Sequence, residues 1–440
     1  YINQGDGTFK ESGQESMAHT SRYSMGNDIA DINNDGLPDI ITLDMLPDDM
    51  AIFQRSTVED SYDLRSLKLG FGYGHQVVRN TLQLNMGDGT FADIAPLAGV
   101  EATDWSWAPL LSDFDNNGFK DLFITNGIYR RPNDLDYINY YSDQNVQRSI
   151  ANGINKNNLS IIDMMPTDKI SNYMFRNNGD LTFEDSTSSW GLDQAIFSNG
   201  TAYGDLDLDG DLDIVVNNVN DIATIYENKS DAVQWKFLQV KLKGTGRNYF
   251  GIGAKVLVKT VNGKSYQEQS PVRGFQSSVD PMLTFGLGEN LSIVDSVVVI
   301  WPGGSYEVQK KVQTNSVLEL DKNNASGDYY AEIKKPAGQT LFVKVNNSLG
   351  LDFKHKENIF FDKNREILIP HAVSNEGPKM AFSDVNADGF EDVFIGGSRR
   401  NPGKLFLQDE NGGWSYSPQT AIENDSLAED TEVLFLDIDN

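Results

Sequence analysis

The chain has 440 residues, no cysteine, a formal charge of −28 and 39% apolar residues. That length and apolar content suit two to four packed domains, and the missing thiols exclude a disulfide framework, thiol catalysis and Cys-ligated zinc. The acidity excludes nucleic-acid binding, which needs clustered Lys and Arg; it sits in short Asp clusters followed by Gly, the pattern of carboxylates gathered round a cation.

From the N-terminus, the first recurring phrase is Gly5-Asp6-Gly7-Thr8-Phe9, which returns as Gly87-Asp88-Gly89-Thr90-Phe91 and Gly179-Asp180-Leu181-Thr182-Phe183. Each phrase begins 26 residues before a nine-residue loop: Asp31-Ile-Asn33-Asn-Asp35-Gly36-Leu-Pro-Asp39, Asp113-Phe-Asp115-Asn-Asn117-Gly118-Phe-Lys-Asp121 and Asp205-Leu-Asp207-Leu-Asp209-Gly210-Asp-Leu-Asp213. Runs 40–43, 122–125 and 214–217 follow the loops and read as short strands. A unit of a few strands cannot bury its faces alone, so copies must pack on one another, radially or in a line. The longer intervals need insertions, which fall at 44–78 and 128–172. In the second, Asn133 or Asp134 is placed to cap a helix carrying Leu135, Ile138, Tyr141, Val146 and Ile150.

Residues 232–322 lack the loop. Leu238, Val240 and Leu242 alternate with polar residues, Asn262-Gly263 is a hairpin turn, and Val297, Val299 and Trp301 alternate again, which predicts a small all-β domain. Beyond a linker near 323–345 comes a fourth loop, Asp384-Val-Asn386-Ala-Asp388-Gly389-Phe-Glu-Asp392, followed by a strand at 393–396. A fifth begins at Asp437-Ile-Asp439-Asn440, 26 residues after the degenerate phrase Asn411-Gly412-Gly413-Trp414. The 53 residues from Asp384 to Asp437 suit a four-stranded blade.

In all four complete loops, positions 1, 3, 5 and 9 carry oxygen side chains and position 6 is Gly. Hard oxygen ligands without His or Cys select Ca²⁺ or Mg²⁺. A metal-free Asx turn explains one such loop, but four in register favour a cation. No Glu stands at position 12 and strands follow, so these are not EF-hands.

The loops and their flanks resemble the FG-GAP or VCBS repeats of integrin-type propellers. The phrases Asn248-Tyr-Phe-Gly251-Ile-Gly253-Ala254, Phe285-Gly-Leu-Gly288 and Val294-Asp-Ser-Val-Val-Val-Ile-Trp301-Pro-Gly-Gly304 resemble the ASPIC/UnbV domain of cartilage acidic protein relatives. The domain order is similar to that of surface proteins of Bacteroidetes. These resemblances imply an all-β fold of seven-bladed propellers with Asp-rich calcium loops, plus a small β-sandwich-like domain. They imply about one structural Ca²⁺ per complete loop, on Asp31, Asn33, Asp35 and Asp39; Asp113, Asp115, Asn117 and Asp121; Asp205, Asp207, Asp209 and Asp213; and Asp384, Asn386, Asp388 and Asp392. Leu37, Phe119, Asp211 and Phe390 would add backbone carbonyls, and Asp437 and Asp439 would begin a fifth site.

The expected domains are 1–227, the closing blades of one propeller; 232–322, the ASPIC/UnbV-like domain; and 345–440, the opening blades of a second propeller. The last division rests on residue 358, 26 before Asp384, where no Gly-Asp phrase stands. Location is expected to be extracellular or at a bacterial outer-membrane surface, with no membrane span in this chain, because no apolar run approaches about 20 residues.

Gly251-Ile-Gly253 precedes no helix with a phosphate-loop Lys, and His19, His75, His355 and His371 are scattered. No catalytic residue and no enzyme activity are therefore expected. Tyr137, Tyr140 and Tyr141 with Arg130 and Arg131 are either a recognition surface or, the favoured reading, a clamp holding the insertion. The functions ordered by this reading are a non-enzymatic scaffold or accessory subunit of a surface protein complex, then a calcium-dependent adhesin or glycan binder, then a propeller polysaccharide lyase or hydrolase.

Overall fold

The computed structural model describes all residues except 57–59, 152–159, 231–233, 333–348, 359, 361, 367, 370–373, 375–376 and 437–440. Its regular structure is predominantly strand, in two compact units, Tyr1–Lys334 and Lys335–Asn440.

In the run Asp121–Asn126 every residue is buried, as expected of a strand covered on both faces. Successive side chains point to opposite faces. Leu122 and Ile124 join Ile32, Ile41, Leu82 and Val100 in one core, while Phe123 joins Leu212, Ile214 and Val216 in another. That strand is second in an antiparallel sheet of Ser106–Ser112, Asp121–Asn126, Tyr173–Asn177 and Phe183–Asp185. The sheet before it comprises Asn27–Ala30, Asp39–Thr42, Thr81–Asn85 and Phe91–Asp93, and the one after it Ser198–Gly204, Asp213–Asn218 and Thr224–Tyr226. The three sheets stack face to face like blades, with their first strands side by side.

The Gly-Asp phrase is the turn between a blade's third and fourth strands, closed at 87–91 by Met86 N–H on Thr90 O (3.0 Å) and by Asp88 Oδ1 accepting from Thr90 N (2.9 Å). The constant 26 residues therefore run from the end of one blade into the loop of the next. That stretch holds Ile94, Ala95, Ala98 and Val100 in the interblade core, which fixes its length. The insertions fall within blades, between second and third strands. The first carries helices Met50–Arg55 and Tyr62–Gly70. In the second, Asp134 caps a helix as expected, through Tyr137 N at 3.0 Å. That helix ends at Ser142, however, because the chain extends at Asp143, whose carbonyl accepts from Gln147 N at 2.9 Å. The single predicted helix is thus two, and Val146 and Ile150 lie on Gln144–Ala151.

The middle domain is a sandwich. One sheet holds Leu283–Glu289, Trp235–Lys243 and Ser316–Asp321; the other holds Gly263–Glu268, Lys255–Thr260, Ile293–Ile300 and Tyr306–Gln313. Val240, Phe285 and Leu320 meet Val256, Val258, Val297, Val299 and Trp301 between them. From this sandwich the hairpin Val272–Arg273/Ser277–Ser278 reaches across the first strands of the blades. Gly274, at φ +70°, bridges Asn27, and Phe275 lies 4.9 Å from the Trp107 ring. Arg273 donates to both oxygens of buried Asp28 at 3.0 Å.

Among the described residues, the second unit contains one blade, Met380–Ser383, Asp392–Ile395, Lys404–Gln408 and Trp414–Ser417. Its core is Val393, Ile395 and Phe406, flanked by Phe353 and Trp414. Among the described residues, no helix is long and apolar enough to cross a membrane.

Candidate metal centres

Each loop links the first strand of a blade to the second. Its curl comes from two left-handed residues: the position-6 Gly (φ +88°, +98°, +101° and +87°) and position 4, where Asn34, Asn116, Leu208 and Ala387 lie at +59°, +57°, +65° and +60°. Glycine adopts that region without penalty and other residues do not. The curl aims backbone N–H groups at the position-1 carboxylate. Gly36, Gly118, Gly210 and Gly389 donate to Asp31, Asp113, Asp205 and Asp384 at 2.8, 2.8, 3.0 and 2.8 Å.

Position 9 does a second job. One oxygen of Asp39, Asp121, Asp213 and Asp392 accepts from the position-2 N–H, at 3.0, 3.0, 2.8 and 3.0 Å. The other accepts from the third strand or its end, at Asn85, Asn177, Asn228 and Gln408 (2.8, 2.9, 2.8 and 2.9 Å). This residue therefore staples the loop to its sheet whether or not it meets a metal.

Asp113, Asp115 and Asp121 bring ligand atoms within 4.8 Å of one another, as do Asp205, Asp207 and Asp209. Positions 3 and 5 meet directly in the first, second and fourth loops, through Asn33 on Asp35 (3.0 Å), Asn117 on Asp115 (3.1 Å) and Asn386 on Asp388 (2.8 Å). At position 7, the N–H groups of Leu37, Phe119, Asp211 and Phe390 donate to the position-5 side chain at 2.7, 2.7, 3.2 and 2.9 Å. Asp437 and Asp439 lie outside the described residues.

Two observations test whether a cation fits. Asp113 is buried, and its Oδ1 has no hydrogen-bond partner. Burial also pushes carboxyl groups up, Asp39 to about 6 and Asp113 to about 7, with neighbouring loop carboxylates adding to the rise. Burial raises Asp211 as well, to about 8, with Asp209 next in effect. A divalent cation at these points would meet the orphaned oxygen and restore the ionised forms. The residues fit.

The loops are also linked. Asn34 Nδ2 donates to Gly118 O (2.9 Å) and Asn116 Nδ2 to Gly210 O (3.4 Å), chaining each loop to that of the next blade. The middle domain sits on all three. Lys264 donates to Asp35 O, Gly288 N to Asn116 O (3.0 Å) and Gln239 Nε2 to Asp205 Oδ2 (2.7 Å). A Cβ on Gly286 would collide with Asp113 Oδ2. Lys120 is buried with its amine 3.5 Å from Ser265 Oγ, and its charge is felt by Asp113 and Asp31.

Arg131 is buried against Asp104 (2.5 Å) and Asp168 (3.0 Å), which makes it a clamp, while Tyr140 and Tyr141 are exposed on their helix. His19 pairs with Asp93 (2.6 Å) and His355 with Glu357 (2.5 Å); His371 lies outside the described residues.

Stacked antiparallel sheets with an Asp-rich loop between first and second strands define a β-propeller-like repeat protein. Residues 1–42 match the family model of an FG-GAP-like repeat, and residues 244–327 match that of ASPIC and UnbV. The chain thus carries an FG-GAP-like repeat and an ASPIC and UnbV domain. The first match spans one constant stretch, from phrase to loop. Such repeats are typical of extracellular or surface proteins. No curated protein matches the chain.

Proposed function

We propose that this chain is a non-enzymatic, calcium-stabilised scaffold or accessory subunit of an extracellular or outer-membrane protein assembly. One observation carries the reading: among the described residues, the oxygen-rich loop recurs between the first and second strands of each of four blades, each copy built from its own blade's residues. Ligands distributed in that way serve architecture. Each Ca²⁺ would cross-brace a loop already fixed to its sheet by the position-9 Asp, and in the first unit would firm the seat of the middle domain. A pull-down from membranes with and without a chelator tests the scaffold role: stable, calcium-dependent co-purification of defined surface proteins supports it, and capture of soluble glycans alone contradicts it.

The glycan-binding reading has one observation in its favour. A cavity of about 380 Å³ beside the second loop is lined by Trp190, Tyr226 and Trp235 with Arg176, Asp115 and Glu227, a mixture of aromatic faces and polar rim suited to a sugar. Arg176 is already bonded to Asp115 at 2.7 Å, which places that cavity second.

A further inference from the structure

The first and second blades each close with a fourth strand; among the described residues the third ends at its third strand, Thr224–Tyr226. In the complete blades the fourth strand and its end take both backbone groups at the middle of the third strand. Ile94 N donates to Leu82 O and Ser186 N to Met174 O, each at 2.8 Å, while Leu82 N donates to Asp93 Oδ1 (3.0 Å) and Met174 N to Thr187 Oγ1 (2.9 Å). Ile225 holds the same place in the third blade, since it faces Val215 as Leu82 faces Ile41 and Met174 faces Phe123. No described strand covers its outer edge, and its side chain is 65% exposed.

The space beside that edge has a counterpart one blade back. Between the first and second blades, Phe183 of the fourth strand packs with Ile32, Val100, Leu122 and Phe175. The corresponding residues one repeat on are Phe114, Leu192, Ile214 and Tyr226, and these line the cavity of about 380 Å³. Among the described residues Phe183 has no counterpart there, because the chain enters the strand Trp235–Lys243 of the middle domain instead of turning back along its blade. The charge pattern is reversed as well. Arg176 faces Glu184 across the outer strands of the second blade, whereas the residue in the place of Arg176 is Glu227, which calls for a cation opposite. Its pairing with Lys229 is exposed and therefore weak.

We propose that this edge and cavity dock an extended segment of a partner protein, which adds as the fourth strand, antiparallel to Thr224–Tyr226. An aromatic side chain of the segment fills the cavity, and the basic residue after it stands opposite Glu227. Main-chain bonds to Ile225 set the register, and the cavity selects the side chain. The site rests on the scaffold reading for the kind of partner it takes, but it requires no metal at any loop.

The test is a calorimetric titration of the whole chain with a synthetic peptide of Leu181–Thr187 carrying Glu184→Lys, the second blade's own outer strand adapted to face Glu227. The peptide should bind one to one. Alanine in place of its phenylalanine should weaken binding at least about tenfold, and restoring the glutamate should weaken it about two- to fivefold. Ile225→Pro removes the outward N–H at an edge position where a strand tolerates proline, and it should abolish uptake. Should that variant fold poorly, N-methylation of the peptide's serine amide, the counterpart of the Ser186 donor to Met174 O, blocks the same ladder from the other side and should have the same result. No uptake by the wild type, or uptake that neither modification weakens, would overturn the proposal. Light scattering that shows a wild-type dimer split by Ile225→Pro would assign the edge to a second copy, and a soluble oligosaccharide bound in the cavity without any peptide uptake would assign it to sugar; either overturns it too. The scaffold reading is judged separately, by the calcium-dependent pull-down, and survives a failure of the peptide to bind.

Discussion

The second and fourth loops share the pattern Asp-x-Asx-x-Asx-Gly-Phe-x-Asp and the same backbone, yet their electrostatics are opposite. Gly118 and Gly389 donate to the first Asp at the same 2.8 Å, and Asp121 and Asp392 make the same staple. Asp113 is buried beneath Gly286 of the middle domain, and burial drives its carboxyl up. Asp384 is exposed, and the donor from Gly389, with others from the loop, holds its carboxyl below the ordinary range. The motif thus dictates the shape of the loop, and what covers the loop dictates how strongly it needs a cation.

Breaking the cover is expected to have the largest effect. Gly286→Ala would drive a methyl group into Asp113 and the Asn116 backbone, and overpacking of this kind costs about 1–3 kcal/mol. It should lower the melting temperature of the first unit and weaken calcium uptake by the second loop. In the fourth loop, a Cβ on Gly389 meets nothing within 4 Å, and only its φ of +87° resists. Gly389→Ala should therefore cost about 1–2 kcal/mol through backbone strain alone. Denaturation of the two variants, each read in its own unit, checks the contrast; equal losses of calcium affinity would erase it.

Acidity sharpens the comparison. Without metal, Asp39 and Asp113 titrate at about 6 and about 7, above their values in the unfolded chain. The metal-free native state then holds protons that the unfolded state has lost, so its stability falls as pH rises from about 4 through 7. Calcium competes with those protons. Binding at the first two loops should weaken as pH drops from 8 to 6 and release protons, visible as a buffer-dependent heat, while the fourth loop should change little over that range. Proton release that is absent, or equal at all loops, would contradict this account.

The smallest effect is expected for Gln239→Ala, which removes one donor from Asp205 Oδ2. A loss of about 1 kcal/mol, confined to the first unit in a thermal melt, would fit; no change would mean that the contact is incidental.

The loops were legible in the sequence because four copies set Asp, Asx and Gly at fixed positions, and the strands followed from alternation. Position 4 was hidden, since Leu208 and Ala387 carry no sign of a left-handed conformation, and Asn34 and Asn116 reveal their interloop bonds only once neighbouring blades are stacked. The Asp at position 9 reads as a ligand; its staple to the third strand depends on residues such as Asn85 and Asn177, 46 and 56 positions away. Gly286 and Gly288 look like turn glycines in Phe285-Gly-Leu-Gly288, but Gly286 is needed where a strand of the middle domain lies on Asp113, a contact that no local pattern encodes. The constant spacing was visible, whereas its phase was not. A run that crosses from one blade into the next has the same period as one contained within a blade.

The central claim, that these loops are structural cation sites, is tested most directly by thermal unfolding of the whole chain in millimolar Ca²⁺ and again in excess chelator. A cation bound only by the native state raises stability by mass action, by about 2.7 kcal/mol for each independent site at a free concentration of 100 Kd. The account predicts a melting temperature several degrees higher in calcium, with the increment larger at pH 8 than at pH 6; identical melting temperatures in calcium and chelator would contradict it.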